Sequence, residues 1–342
     1  MNATQWPVAL NAGLFVVAGA IVWFAGTHLA RYADAFAEQT GLGRVAVGMI
    51  LLASITSLPE ITIAITSTLQ GTPQLSINDV LGSAALNVVI LAAADAVLDR
   101  QALTSVQGSV RVMLQGVLGI VVMALSIGAF IVGDKLLLGV GVWSWLMLLS
   151  YVFCVVLLTQ TREGEAWSPS NAIEDRQIED EQPEQWSMTH LLALIALCAL
   201  GILVAGVTLA KTGAALGEQT GLGVSFFGVV FLAVTTSLPE ISTTVSLVRR
   251  RQYELAISGI FGSNIFNVTI IVLVDALHTG GPVLAEIGRT ASVGALLCIV
   301  LTAIFLVGLI ERRNRVLLRM GYDSIAVLLV YAAGLVVLYS VR

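Results

Sequence analysis

Charge is scarce in this sequence. Only 11% of its 342 residues are Asp, Glu, Lys or Arg, against 57% hydrophobic, and the mean hydropathy is +0.92. A soluble domain carries about a quarter charged residues. This chain cannot cover a globular surface with polar groups, so it reads as an integral membrane protein whose surrounding partner is the lipid bilayer. Basic residues form no patch, which excludes nucleic acid as a partner, and the formal net charge of −5 comes mostly from one acidic stretch. Cysteine is nearly absent. Cys154, Cys198 and Cys298 lie far apart inside apolar runs, which excludes a disulfide framework or a thiolate zinc site. His28, His190 and His278 fall near the ends of apolar runs, so zinc and copper have no ligand set. No basic segment precedes the first apolar run, which is therefore read as retained rather than cleaved. No activated nucleophile or base is recognisable. The chain is not read as an enzyme, and no cofactor or obligatory protein partner is implied.

What is abundant is long apolar runs. A spanning helix needs ~20 apolar residues, and ten such runs occur, at 8–30, 44–70, 76–98, 109–132, 136–159, 188–211, 223–248, 254–277, 288–311 and 322–341. The fold class is an all-α membrane protein with ten transmembrane helices. Between the fifth and sixth lies 160–187, rich in acidic residues and holding Pro169 and Pro183. Its low hydrophobicity makes it a solvated linker between two halves, 1–159 and 188–342. Loops assigned alternately to two sides place thirteen Lys or Arg on one side and four on the other. The first side is then cytoplasmic, which puts the acidic linker in the cytoplasm and both termini outside it.

The two halves repeat. Glu38-Gln39-Thr40-Gly41-Leu42-Gly43 recurs as Glu218-Gln219-Thr220-Gly221-Leu222-Gly223, and Thr56-Ser57-Leu58-Pro59-Glu60 as Thr236-Ser237-Leu238-Pro239-Glu240. Gly82-Ser83, Asn87 and Asp95 match Gly262-Ser263, Asn267 and Asp275, always at an offset of 180. Five helices separate equivalent positions, so the second copy is expected to cross the membrane in the opposite sense. Inverted repeats of this kind mark transporters, with the site near the midplane where the copies meet.

Glu60 and Glu240 lie deep in apolar runs, where a carboxylate costs about 2.5–3.5 kcal/mol even on lenient scales and marks function by default. Thr56 and Ser57 stand four and three residues before Glu60, on one helix face, and Thr236 and Ser237 stand likewise before Glu240. Pro59 and Pro239 lack an amide hydrogen, so each is expected to break its helix and free a backbone carbonyl. Ser83 with Asn87, and Ser263 with Asn267, repeat the four-residue spacing, and Gly82 and Gly262 are expected to allow close helix approach. Together these groups form an all-oxygen donor set suited to hard cations, calcium in particular. Asp95 and Asp275 sit toward helix ends and read as interfacial or capping residues, with a vestibule role second. They are expected near opposite membrane faces, so they cannot share a proton as a protease dyad would.

These motifs resemble those of the calcium/cation antiporter superfamily, specifically prokaryotic sodium/calcium exchangers. The likeness is carried by the paired Thr-Ser-Leu-Pro-Glu segments, by Gly-Ser-Ala-Ala-Leu-Asn at 82–87 and by Gly-Ser-Asn-Ile-Phe-Asn at 262–267. It is closest over 44–98 and 224–278, the family's two alpha-repeats. The resemblance implies that Glu60 and Glu240 are the central calcium ligands and also serve sodium. Thr56, Ser57, Thr236 and Ser237 would add hydroxyl or carbonyl oxygens. Ser83 and Ser263 would flank as sodium positions, and Asn87 and Asn267 would complete the centre. The first and sixth helices would slide across the rest to alternate access. The cell location implied is a prokaryotic cytoplasmic membrane. Two departures stand out: Ile55 and Thr235 replace a common Gly, and Asn267 replaces a common Asp. The expected activity is exchange of Ca2+ for Na+. Coupling to H+ on the same fold is the alternative, and a passive cation channel is the less favoured reading.

Overall fold

The computed structural model describes residues 5–98, 101–106, 108–160, 186–219, 235–286, 289–317 and 319–340. The linker at 160–187 and the first part of the run at 223–248 fall largely outside these residues. Eleven long helical segments are described: α1 (Val8–Thr40), α2 (Arg44–Thr56), α3 (Leu58–Leu69), α4 (Pro73–Asp95), α5 (Val110–Val132), α6 (Val142–Gln160), α7 (Met188–Gln219), α8 (Leu238–Arg249), α9 (Tyr253–Leu277), α10 (Arg289–Glu311) and α11 (Tyr322–Ser340). Among the described residues, eight helices are long and apolar enough to cross a membrane, and α2 with α3 passes the same test as a pair bent by 47°.

The offset of 180 seen in sequence reappears in the element bounds. α6 and α11 begin and end in register, at 142–160 and 322–340, as do α3 and α8 at 58–69 and 238–249. A two-residue-per-strand antiparallel hairpin precedes each last helix: β1 (Leu136–Leu137) with β2 (Val140–Gly141), and β3 (Val316–Leu317) with β4 (Met320–Gly321). These hairpins correct the expectation of a helix running from 136. Gly139 at its tip has φ 83°, a left-handed turn that glycine adopts at no steric cost. α1 also outruns its expected end at 30. It continues through His28, whose ring bonds the Phe24 carbonyl, and stops only at Gly41, φ 67°, whose N–H caps the Ala37 carbonyl. The Glu-Gln-Thr-Gly signature is thus a helix stop. Just past it, Arg44 pairs with Asp34 at 2.9 Å and Glu38 at 3.2 Å.

Burial sorts the helices into layers. Of the most apolar stretch of α4 and of α9, 72% is buried, against 22% for α1 and α6 and 11% for α11. α4 and α9 therefore form the centre and pack against each other, with α5 and α10 beside them. α1 and α7 pack together along the outside, α1 resting on α8 and α7 on α3. Ala18, Val22, Ala205 and Leu209 give that pair a small apolar cluster separate from the main core. Gly26 and Gly206, again 180 apart, mark where it touches the centre. A Cβ on Gly206 would lie 2.5 Å from Pro59 Cγ, and one on Gly26 would collide with Ser242.

Asp95 and Asp275 tie the halves together. Asp95 accepts the backbone N–H of Leu103 and of Gly321, both at 2.6 Å. Asp275 accepts the N–H of Val283 at 2.7 Å and of Gly141 at 2.6 Å, and the Ser144 hydroxyl at 2.7 Å. Each aspartate thus holds the hairpin of the opposite half. They are caps, and no vestibule role is needed to account for them.

Candidate cation site

The site grows from two helix breaks. In α2, residues Gly48–Leu52 form a π-helical turn, a local irregularity frequent at functional sites. The chain then leaves helical geometry at Ser57, φ −84° and ψ 9°, and restarts at Leu58. Pro59 lies in the first turn of α3, where a missing N–H leaves no helical hydrogen bond unmade. Ser237 repeats the break with φ −83° and ψ 7°, followed by Leu238 and Pro239. Both prolines therefore start helices rather than merely kink them. Each break places its glutamate in the first turn of the new helix, where the helix dipole favours negative charge.

The crossing of α2 and α9 brings the halves into contact. A Cβ on Gly262 would lie 2.5 Å from Met49 Cα, so only glycine permits this approach. For Gly82, no atom among the described residues lies within 4 Å of the Cβ position. The segment equivalent to Met49, at 229, falls outside those residues.

All ten oxygen-bearing side chains singled out in sequence are buried, with Glu60 at 1% and Glu240 at 2% exposure. The hydroxyl of Ser57 donates to Asn267 Oδ1 at 3.0 Å, and Asn267 Nδ2 donates to Ser83 Oγ at 3.4 Å. The Thr56 and Ser263 hydroxyls meet at 3.2 Å and share the lining of one small cavity with Glu240. Each of these three hydrogen bonds joins one half to the other. Glu60 lies within electrostatic reach of Glu240. Glu60 Oε2, Glu240 Oε2, Asn87 Oδ1 and Ser237 Oγ make no hydrogen bond among the described residues. A cavity about the size of a single water or ion lies beside Glu240, lined also by Thr56, Thr243, Thr244, Gly259 and Ser263. Hard oxygen donors, two carboxylates among them, are what a bare divalent or alkali cation requires.

Two further polar residues lie beside the candidate site and have no equivalent in the other half. Asn264, where the first half has Ala84, accepts from Asn87 Nδ2 at 3.0 Å through Oδ1 and reaches Cys298 Sγ at 3.7 Å with Nδ2. Asp79, where the second half has Gly259, is half-buried on α4 and within electrostatic reach of Glu60. A search for matching pairs passes over both. The signal that finds them is a polar residue on the α4 or α9 face that breaks the repeat.

The family model described as "Sodium/calcium exchanger protein" matches residues 10–162 and 190–340, nearly the whole chain. The chain belongs to the sodium/calcium exchanger family. This places it among cation antiporters of the membrane rather than among enzymes. It is 24% identical over 278 residues to the inner membrane protein YrbG of Escherichia coli, covering 80% of this chain and 82% of that one. It is 25% identical over 319 residues to the putative antiporter CaxA of Alkalimonas amylolytica, covering 90% and 94%. Its fold matches that of the sodium-calcium exchanger NCX_Mj with a TM-score of 0.73 at 15% identity, over 96% of this chain and 99% of that one.

Proposed function

We propose that this chain exchanges Ca2+ for Na+ by alternating access, with Glu60 and Glu240 as the shared carboxylates. The observation that carries the reading is the symmetric pair of proline-started helices. They deliver two buried carboxylates, each with an unpartnered oxygen, to the place where the halves cross. Two negative charges balance one divalent ion or two monovalent ones, so calcium and sodium would occupy the same oxygens in turn. Thr56, Ser57, Thr236 and Ser237 supply hydroxyl or carbonyl oxygens, Ser83 and Ser263 flank, and Asn87 and Asn267 complete the centre.

The halves are read as five-helix repeats of opposite sense, with both termini extracytoplasmic and the acidic linker cytoplasmic. α1 and α7 are the moving pair, because they pack chiefly on each other and each meets the centre at a glycine. Alternation requires that the ion-loaded forms bind the two access states differently. A carboxylate pair left without a cation has two charges to desolvate, which holds the empty carrier from switching.

The test uses liposomes loaded with sodium at equal pH on both sides and follows radioactive calcium uptake on dilution into sodium-free buffer. Uptake that vanishes without the sodium gradient, and in Glu60→Gln or Glu240→Gln, is expected. Wild-type flux in either variant overturns the site. Uptake driven only by an inside-acid pH gradient selects proton coupling in place of sodium.

A further inference from the structure

We propose that two glutamine–tryptophan clamps, Gln39 on Trp186 and Gln219 on Trp6, fasten α1 to α7 at both of their ends, so that the two helices shift as one body during exchange. The inference rests on the reading of α1 and α7 as the moving pair, and it names the residues that hold that pair together.

The clamps obey the repeat. Trp6 just before α1 recurs as Trp186 just before α7, and Gln39 near the end of α1 recurs as Gln219 at the end of α7, each at the offset of 180. Gln39 Nε2 donates to the Trp186 carbonyl at 3.1 Å, and Gln219 Nε2 donates to the Trp6 carbonyl at 2.7 Å. The end of each helix thus holds the head of the other, as two antiparallel helices allow. Both tryptophan carbonyls are free to accept from the side, because the helical ladders begin one residue later, at the carbonyls of Pro7 and Ser187. The 33 residues of α1 span about 50 Å, whereas the apolar core of a bilayer is about 30 Å thick. The clamps therefore lie near the two headgroup layers, where tryptophan is a favoured anchor.

Each clamp has its own support, and here the repeat breaks. The Arg31 guanidinium lies 5.2 Å from the centre of the Trp186 ring, within cation–π reach, and the Tyr32 ring meets it edge-on at 5.0 Å. Their counterparts at the other end are Lys211 and Thr212. There the buried Asn11 donates from Nδ2 to Gln219 Oε1 at 3.1 Å and turns the amide toward Trp6. The counterpart of Asn11 is Leu191. Two unrelated sets of side chains thus hold the same link between the helices. The link joins the two sides of the cation site. α1 rests on α8, whose first turn carries Glu240, and α7 rests on α3, whose first turn carries Glu60. A shift of α1 alone would change the cover over α8 only. Fastened at both ends, the pair changes the cover over both glutamate helices in one step.

The test uses the full chain in liposomes, in a background where Cys154, Cys198 and Cys298 are replaced by Ala. Trp6→Cys, Gln39→Cys, Trp186→Cys and Gln219→Cys together remove both clamps. A short bis-methanethiosulfonate reagent then ties position 39 to 186 and position 6 to 219, and a reductant releases both ties. Uptake is expressed per molecule of calcium-binding protein. Before tethering, maximal sodium-driven calcium uptake is expected to fall about tenfold below the background, the scale of two lost hydrogen bonds, while equilibrium calcium affinity stays near that of the background. Tethering is expected to restore uptake, and the reductant to abolish the gain. Gln39→Leu combined with Gln219→Leu keeps both tryptophans and reads the same loss should the four-cysteine variant fail to fold. Uptake at the background rate with the clamps removed, or uptake that the tethers fail to raise, overturns the clamps alone. A control tether across the seam to the centre joins Thr27→Cys to Ser246→Cys, where the Ser246 hydroxyl donates to the Thr27 carbonyl at 3.3 Å. That tether is expected to stop uptake. Uptake that survives it overturns the reading of α1 and α7 as the moving pair, and this proposal with it.

Discussion

Asp275 of the second half accepts the backbone N–H of Gly141 of the first at 2.6 Å, and Asp95 of the first accepts that of Gly321 of the second at the same distance. The exchange is reciprocal. Each half closes its own helix end with one carboxylate oxygen, at Leu103 or Val283, and holds the other half's hairpin with the second. These short bonds to buried backbone donors fix the halves to each other while leaving α1 and α7 outside the lock.

That lock sets a stability prediction. Asp275→Ala removes three acceptor contacts from buried donors, at Gly141, Ser144 and Val283. Each orphaned donor costs about 1–3 kcal/mol. Thermal unfolding in detergent is expected to fall markedly for Asp275→Ala and for Asp95→Ala, while the calcium affinity of the protein that remains folded stays near wild type. Unchanged melting in both would remove the structural role assigned to these residues.

Gly262→Ala is expected to be among the most damaging single substitutions. Its Cβ would meet the Met49 backbone at 2.5 Å, and backbone cannot rotate away as a side chain can. Overpacking of this kind costs about 1–3 kcal/mol or more. Here it would also part α2 from α9 at the cation site. Both melting temperature and calcium binding should drop together, and loss of one alone would contradict the crossing geometry.

Gly206→Ala tests motion rather than packing of the centre. The added methyl meets Pro59 Cγ at 2.5 Å, on the seam between α7 and α3. The expected outcome is a several-fold slower maximal exchange rate with little change in equilibrium calcium binding, measured on the same preparation. Gly26→Ala, which meets Ser242, should behave alike.

Asn264→Ala is expected to weaken calcium binding although Asn264 has not been placed among the ligands. Its Oδ1 holds the Asn87 amide nitrogen at 3.0 Å, and Asn87 Oδ1 makes no hydrogen bond among the described residues. Without that anchor the Asn87 amide is free to turn. A loss of about tenfold corresponds to roughly 1.4 kcal/mol, the scale of one oriented hydrogen bond. Asn264→Asp should recover part of the affinity by accepting from the same nitrogen.

Sequence alone determined the class and named most residues of the candidate site. Scarcity of charge demanded a membrane. Runs of apolar residues set the spans, and the ungapped offset of 180 paired Glu60 with Glu240 before any coordinates. These are local or periodic properties, and lipid leaves a chain few ways to satisfy its backbone, so pattern and fold stay closely linked. What tertiary structure alone decided was which groups meet. The hairpins before α6 and α11 carry too few residues to leave a pattern, and they exist because Asp95 and Asp275 reach across to hold them. Asn267 accepts from Ser57, 210 residues away, a pairing that depends on how closely α2 and α9 cross. Asp79 and Asn264 were hidden for the opposite reason. Symmetry in the sequence drew attention to matched residues, while packing made the unmatched ones neighbours of the site.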